Sequence, residues 1–199
     1  MNINKRLYSI VLATTILFFV FSILISSVVS AAQVTRIGNG SDPAIYGNKV
    51  VWTDNGVIHV YDLTARTDTA VNSSAASHPA IYGNKLVWHD ESSGTPRLTV
   101  YDISSGARSY ITQNVDNRSF PAIYGDRIVW SVIWSANYNE SSYNYNVYMR
   151  DISTSTQAWI AQGENPDIYD TKIVYSADGR NIRDIFMYDI TTKKNELIS

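Results

Sequence analysis

A ten-residue motif that occurs four times, a composition rich in β-forming residues, and turn signals at regular intervals predict an all-β fold. The specific expectation is a β-propeller of four-stranded antiparallel blades with four blades present. The motif runs Pro43-Ala44-Ile45-Tyr46-Gly47-Asn48-Lys49-Val50-Val51-Trp52. It returns nearly unchanged from Pro79 to Trp88, again from Pro121 to Trp130, and in a more divergent form from Pro166 to Tyr175. The prolines are 36, 42 and 45 residues apart, the span of one propeller blade.

Composition agrees. The 199 residues include 14 Tyr and 5 Trp but only 17% charged residues, a balance suited to pleated, half-buried surfaces. A formal net charge of −2 gives no electrostatic footprint for nucleic acid. The chain has no cysteine, which excludes disulfides, thiolate metal sites and cysteine nucleophiles.

Each repeat divides into four short strands. In the first they are predicted at Ala44–Tyr46, Lys49–Thr53, Val57–Asp62 and Thr67–Asn72. Gly47-Asn48 and Asn55-Gly56 supply the positive φ that tight hairpins need. The third strand closes on an Asp followed by Ser or Thr within two residues: Asp62, Asp102, Asp151 and Asp189. A carboxylate in that position initiates a turn by accepting from the backbone just ahead of it.

The N-terminus bears on compartment. Lys5 and Arg6 precede an apolar run from Leu7 to Val29, and Ser30-Ala31-Ala32 closes it. That order describes a secretory signal peptide, although the run is also long enough to be an N-terminal membrane anchor. Either reading places Gln33 onward outside the membrane, as the extracellular or cell-surface part of an exported protein. Residues 1–32 are therefore assigned as signal peptide or anchor and 33–199 as propeller, with blades at about 38–77, 78–119, 120–164 and 165–199.

A lone four-stranded sheet has nothing to cover its two apolar faces, so the blades must stack. Trp52, Trp88, Trp130 and Tyr175 hold equivalent positions and are expected between neighbouring blades. Closure is open to two readings. Val34–Ile37 is in phase with a fourth strand, yet Asn195–Ser199 already supplies one to the last blade. The chain is accordingly either an incomplete arc of a larger propeller or a closed four-blade ring, and an arc would present an apolar face at each end for self-association.

The repeats resemble TolB-like β-propeller repeats, in the variant found in cell-surface and S-layer-associated proteins of methanogenic archaea. The resemblance rests on the Pro that opens strand one, the Val50-Val51-Trp52 ending of strand two, and the aromatic-x-Asp turn after strand three. It covers residues 33–199. Where most such repeats carry Ser-Pro-Asp-Gly, this chain has Ile45-Tyr46-Gly47-Asn48, a departure toward the surface variant. The resemblance implies a non-enzymatic binding or structural module of the cell envelope, with other envelope proteins or surface glycans as partners and the membrane reached only through the N-terminal segment.

Antiparallel connectivity fixes which loops share a face. Strand one–two and three–four turns lie on one side, strand two–three loops and inter-blade links on the other. The long loop of blade three carries Trp134, Tyr138, Tyr143 and Tyr145 among asparagines, a pairing of aromatic faces and amides that suits carbohydrate. The sequons at Asn39, Asn72, Asn117 and Asn139 map to the same side and are candidate N-glycosylation sites. The alternative readings are a propeller enzyme acting on glycans or other polymers, for which Asp54, Asp90 and Glu91 are the carboxylates, and a truncated propeller remnant; no spacing marks two of the carboxylates as convergent, and the two Asp are expected to be turn residues. His59, His78 and His89 lack zinc-ligand spacing, so no catalytic residue, metal or cofactor is expected.

Overall fold

The computed structural model describes residues 34–71, 74–133, 145–178 and 183–198, and its propeller unit comprises residues 38–198 of these. Sixteen strands form four separate four-stranded antiparallel sheets, each in simple sequential order. The first contains β1 (Ser41–Tyr46), β2 (Lys49–Asp54), β3 (Val57–Asp62) and β4 (Thr67–Ala70). The second contains β5 (Ala76–Tyr82), β6 (Lys85–Asp90), β7 (Arg97–Asp102) and β8 (Arg108–Ile111). The third contains β9 (Ala122–Tyr124), β10 (Arg127–Ile133), β11 (Tyr145–Asp151) and β12 (Thr156–Gln162). The fourth contains β13 (Glu164–Tyr169), β14 (Lys172–Asp178), β15 (Arg183–Asp189) and β16 (Lys194–Leu197). The fold is an all-β propeller of four meander blades, as the repeats predict.

The hairpins form where the turn chemistry directs. Gly47, Gly83 and Gly125 take φ of 57°, 61° and 62° at the first turn position, and Asp170 takes 53° there in the divergent fourth copy. Asp is among the few residues that enter this region without glycine's freedom. The next turn uses Asn55 at 49° and Gly56 at 80°, positive at both positions as a type I′ connection requires.

Each third strand ends as its Asp predicts. Asp62 Oδ1 accepts from the Thr64 and Ala65 amides, Asp102 from Ser104 and Ser105, Asp151 from Ser153 and Thr154, and Asp189 from Thr191 and Thr192. The residue after each Asp then donates its amide to the strand one–two turn: Leu63 to Asn48, Ile103 to Asn84, Ile152 to Asp126 and Ile190 to Thr171. These bonds place both kinds of turn on one side of the blades. Across the molecule, Ala76 donates to Gly56 and Glu91 to Ala75, which joins the two–three loops to the first inter-blade link on the other side.

A bulge recurs in the first strands. Pairing skips between Ser41 and Ala44, between Ser77 and Ala80, and between Glu164 and Asp167. The skipped pair is in each case a positive-φ residue (Asp42, His78 or Asn165) followed by proline. Proline cannot donate to a ladder and settles at bulges for that reason. Blade three lacks the device, and β9 starts only at Ala122.

Two expectations need correction. Residues 34–37 form no strand, since the outer edge of β15 is already paired by β16 and the last blade needs no borrowed strand. The fourth strand of blade one stops at Ala70 rather than Asn72; Val71 makes one further amide bond to Ile58, and Asn72 lies outside the described residues.

Three apolar layers lie between successive blades. The first joins Val51, Ile58 and Val60 of blade one to Ile81, Leu86 and Trp88 of blade two. The second joins Val87, Leu98 and Val100 to Ile123, Ile128 and Trp130, and the third joins Val129 and Val147 to Ile168, Ile173 and Tyr175. Trp88, Trp130 and Tyr175 are therefore inter-blade core, as expected, whereas Trp52, on the first blade, belongs to none of these layers. Trp130 is fully buried and donates its indole N–H to the Asn114 carbonyl at 2.6 Å. Trp52 stacks on His59 at 5.2 Å and lies against Gly38 and Gly40, where a Cβ would meet its ring. Gly163 meets Tyr175 in the same way. Lys85 reaches Asp126 of the next blade at 2.7 Å, adding a polar tie on the turn side.

Trp130→Ala should lower unfolding free energy by about 3–5 kcal/mol, because it opens a cavity and orphans the Asn114 carbonyl. Trp159→Ala, on a ring that is 57% exposed, should cost about 1 kcal/mol or less. Denaturant titration of the two variants checks this, and equal losses would contradict inter-blade packing as the source of stability.

The Asp turns make a second prediction. Hydrogen bonds from Ser104 and Ser105 hold Asp102 at about 2; Lys172 and the Thr192 amide do the same for Asp189, and Asp62 and Asp151 are also lowered by their turn donors. An unfolded Asp titrates near about 3.9. Stability from these turns is therefore complete above that value and is lost as pH falls through the folded values. Denaturation midpoints should drop between about pH 4 and about pH 2, less steeply in Asp102→Asn. A midpoint flat across that window would refute the linkage.

Candidate functional site

The first strands of the blades run side by side, β1 on β5, β5 on β9 and β9 on β13, and form the inner wall of the arc. Because the motif places the same residue at the same height on each, this wall carries rows of side chains. At the turn end, Tyr46, Tyr82, Tyr124 and Tyr169 form a continuous ladder, with ring centroids 4.6, 4.6 and 5.0 Å apart. Tyr46 is 40% exposed and Tyr169 73%. Hydrogen bonding with Tyr82 pushes the Tyr46 phenol up. The ladder presents ring edges and hydroxyls together, the combination that lets tyrosine serve both apolar and polar contacts at interfaces.

At the opposite end residues that precede the motif prolines meet. The His78 ring stacks on Phe120 at 3.7 Å, and its Nε2 lies 3.9 Å from Asp42 Oδ1, so three blades touch at this point. Burial pushes the His78 imidazole down; Asp42 opposes that shift and His89 adds to it. His89 is itself buried, with Nδ1 3.4 Å from Ser77 Oγ and Nε2 3.9 Å from Glu91 Oε1.

On the same side a cleft of about 480 Å³ opens between the β6–β7 loop and the link to blade three, lined by Glu91, Gly94, Pro96, Val115, Asp116 and Asn117. Asp116 is already engaged. Its Oδ1 accepts from the Arg118 amide and the Ser119 hydroxyl, and its Oδ2 accepts from the Ile133 amide at 2.6 Å. Glu91 remains half-exposed at the rim.

The other carboxylates serve the hairpins. Asp90 accepts from Arg97, from the Thr99 hydroxyl at 2.6 Å and from the Ser92 amide. Burial works against its charge, but these donors outweigh that effect and hold the carboxyl below its usual range. Asp90 is thus a buried strut across its hairpin as well as a turn residue. Asp54 accepts from Asn55 at the neighbouring turn, and His59 is paired with Asp68 at 2.8 Å. Among the described residues no group of three His, Asp or Glu side chains is placed to hold a metal ion.

Of the aromatic loop candidates, Tyr145 opens β11, and its hydroxyl accepts from Arg118 at 3.5 Å, beside the cleft. Trp134, Tyr138 and Tyr143 lie outside the described residues, as do Asn72 and Asn139 and the N-terminal segment through Gln33. Asn39 and Asn117 are exposed. The tyrosine ladder is not marked by the loop and carboxylate patterns of the sequence. Its signal was present: Tyr holds its place in all four copies, while the turn residue beside it changes from Gly to Asp.

No protein-family model and no curated protein matches the chain. Solved structures do. TolB from Acinetobacter baumannii matches with a TM-score of 0.56 at 19% identity, over 79% of this chain and 42% of that one. The β-propeller domain of the trilobed protease from Pyrococcus furiosus, described as having an open velcro topology, gives 0.59 at 16% identity over 80% and 56%. Acylaminoacyl peptidase from Pyrococcus horikoshii gives 0.57 at 15% identity over 80% and 32%. The chain thus spans between 32% and 56% of the length of these structures. What it shares with them is the fold of the TolB-like β-propellers.

Proposed function

We propose that this chain is an exported, non-enzymatic β-propeller that acts as a binding or structural module at the cell surface, within an envelope layer such as an S-layer. The observation that carries the reading is the tyrosine ladder on the turn side: a continuous aromatic strip, repeated by every blade. The carboxylates of the repeats support it, since Asp62, Asp90, Asp102, Asp151 and Asp189 all accept hydrogen bonds from their own turns and strands. The sequons lie toward the opposite side, so glycans on Asn39 or Asn117 would leave the ladder free. Another envelope protein or a surface glycan is the partner in this reading, and the apolar run at Leu7–Val29 supplies export or anchoring.

The second reading, a propeller enzyme acting on glycans or other polymers, draws on the cleft beside Glu91 and Asp116. One experiment separates them. Purified protein is tested for binding to isolated envelope fractions and for turnover of a polysaccharide panel. Tyr169→Ala should weaken binding about tenfold, a loss of about 1.4 kcal/mol, with an unchanged denaturation midpoint because the ring is largely exposed. No turnover is expected. Turnover that disappears in Glu91→Gln, together with binding indifferent to Tyr169, would replace the first reading with the second.

A further inference from the structure

The tyrosine ladder holds phenol rings close enough to react with one another. Aromatic pairs in proteins sit about 4.5–7 Å apart, centroid to centroid, and the ladder lies at the short end of that range. Tyr46 and Tyr82 are 4.6 Å apart, Tyr82 and Tyr124 4.6 Å, and Tyr124 and Tyr169 5.0 Å. Each of these is a contact between two tyrosines, whereas Tyr101, Tyr148 and Tyr175 meet Trp88, Trp130 and Phe186. Tyr110 lies under the Arg97 guanidinium.

Of the three ladder pairs, Tyr46 with Tyr82 is the best placed for covalent coupling. Their rings are inclined at 46°, and their hydroxyls share a hydrogen bond. The carbons ortho to oxygen flank the hydroxyl-bearing end of each ring, so bonded hydroxyls draw the reactive carbons of the two rings together. Tyr46 is 40% exposed, which admits an oxidant from solution. The pair joins two blades across 36 residues of a chain that has no cysteine for a disulfide.

We infer that Tyr46 and Tyr82 are an oxidative cross-linking site, where a peroxidase with hydrogen peroxide as oxidant ties blade one to blade two through a dityrosine bond. Each phenol gives up one electron and its hydroxyl proton, which leaves two neutral tyrosyl radicals. The radicals combine through one carbon ortho to each oxygen and form one C–C bond. Each of those carbons then releases its hydrogen as a proton, and each oxygen takes one back, so both hydroxyls are restored. The net loss is two electrons and two protons, which one hydrogen peroxide accepts to give two waters. The bond closes a long loop and so lowers the entropy of the unfolded chain, as a disulfide would. Coupling of this kind is independent of what the ladder binds.

The test treats the full chain, kept dilute, with a peroxidase and hydrogen peroxide. Dityrosine fluorescence should appear in a product of single-chain mass less two hydrogen atoms, and its denaturation midpoint should rise. Proteolytic mapping should find the peptide carrying Tyr46 joined to the one carrying Tyr82. Tyr46→Phe keeps the ring and removes the phenol, so the fluorescence should fall while the midpoint before oxidation stays unchanged. Tyr110→Phe, at a ring that is 47% exposed but stacked under arginine, should leave the yield as it was. Cross-links formed solely between chains, or joined peptides that omit the Tyr46–Tyr82 pair, would overturn the proposal. So would a yield lowered as much by Tyr110→Phe as by Tyr46→Phe.

Discussion

Face-to-face burial of one sheet against the next is the constraint on which this molecule depends. A four-stranded meander of about 35 residues has no interior of its own. Its residues become core only when a second blade arrives, and the largest contributors are the strand-two aromatics at the joints. Trp88, Trp130 and Tyr175 each lie in a layer shared with the preceding blade. Stability is in this sense a property of joints rather than of blades, as in other repeat architectures where nearest-neighbour terms dominate.

The polar parts of the motif make that stacking orderly. The Asp turn closes the third strand, and the next amide crosses to the strand one–two turn, so the two hairpins at one end of a blade are held as a unit. Bulges set the other end. They bring Asp42 and His78, each the residue before a proline, within 3.9 Å of each other, and His78 stacks on Phe120 of the blade that has no bulge. Variation within the motif tracks position in the array: the fourth copy replaces Gly with Asp170 at the turn and Trp with Tyr175 at the joint, and both substitutes keep the geometry of the residue they replace.

Much of this was legible in the sequence because repeats amplify weak local signals. A single Ile-Tyr-Gly-Asn is ambiguous; four copies at blade spacing are not. Turn chemistry at Gly47, Asn55 and Asp102 depends on neighbours within a few residues, so the one-dimensional pattern sufficed. Partners of the buried aromatics, by contrast, are set by contacts well outside the local turn, 16 residues apart for Trp130 and Asn114. The motif marked Trp130 as buried but did not identify the Asn114 carbonyl as its acceptor. Val34–Ile37 looked like a strand because alternation records a face, not whether an edge is vacant. The ladder escaped notice for a related reason: Tyr46 and Tyr82 are ordinary strand residues until adjacent first strands are laid side by side.

The prolines of the motif also bear on how the molecule avoids misassembly. An open meander has two free margins, and an unpaired strand margin is a template on which foreign chains can add. Along the inner margin Pro43, Pro79 and Pro166 each remove an amide donor at the bulge, so an incoming strand finds the ladder interrupted. Along the outer margin β4, β8 and β16 are only four residues long, and β4 and β16 are exposed throughout. In blades one, two and four both margins are therefore poor seeds for amyloid-like growth, whereas blade three has neither the bulge nor a short outer strand, its β12 being seven residues long.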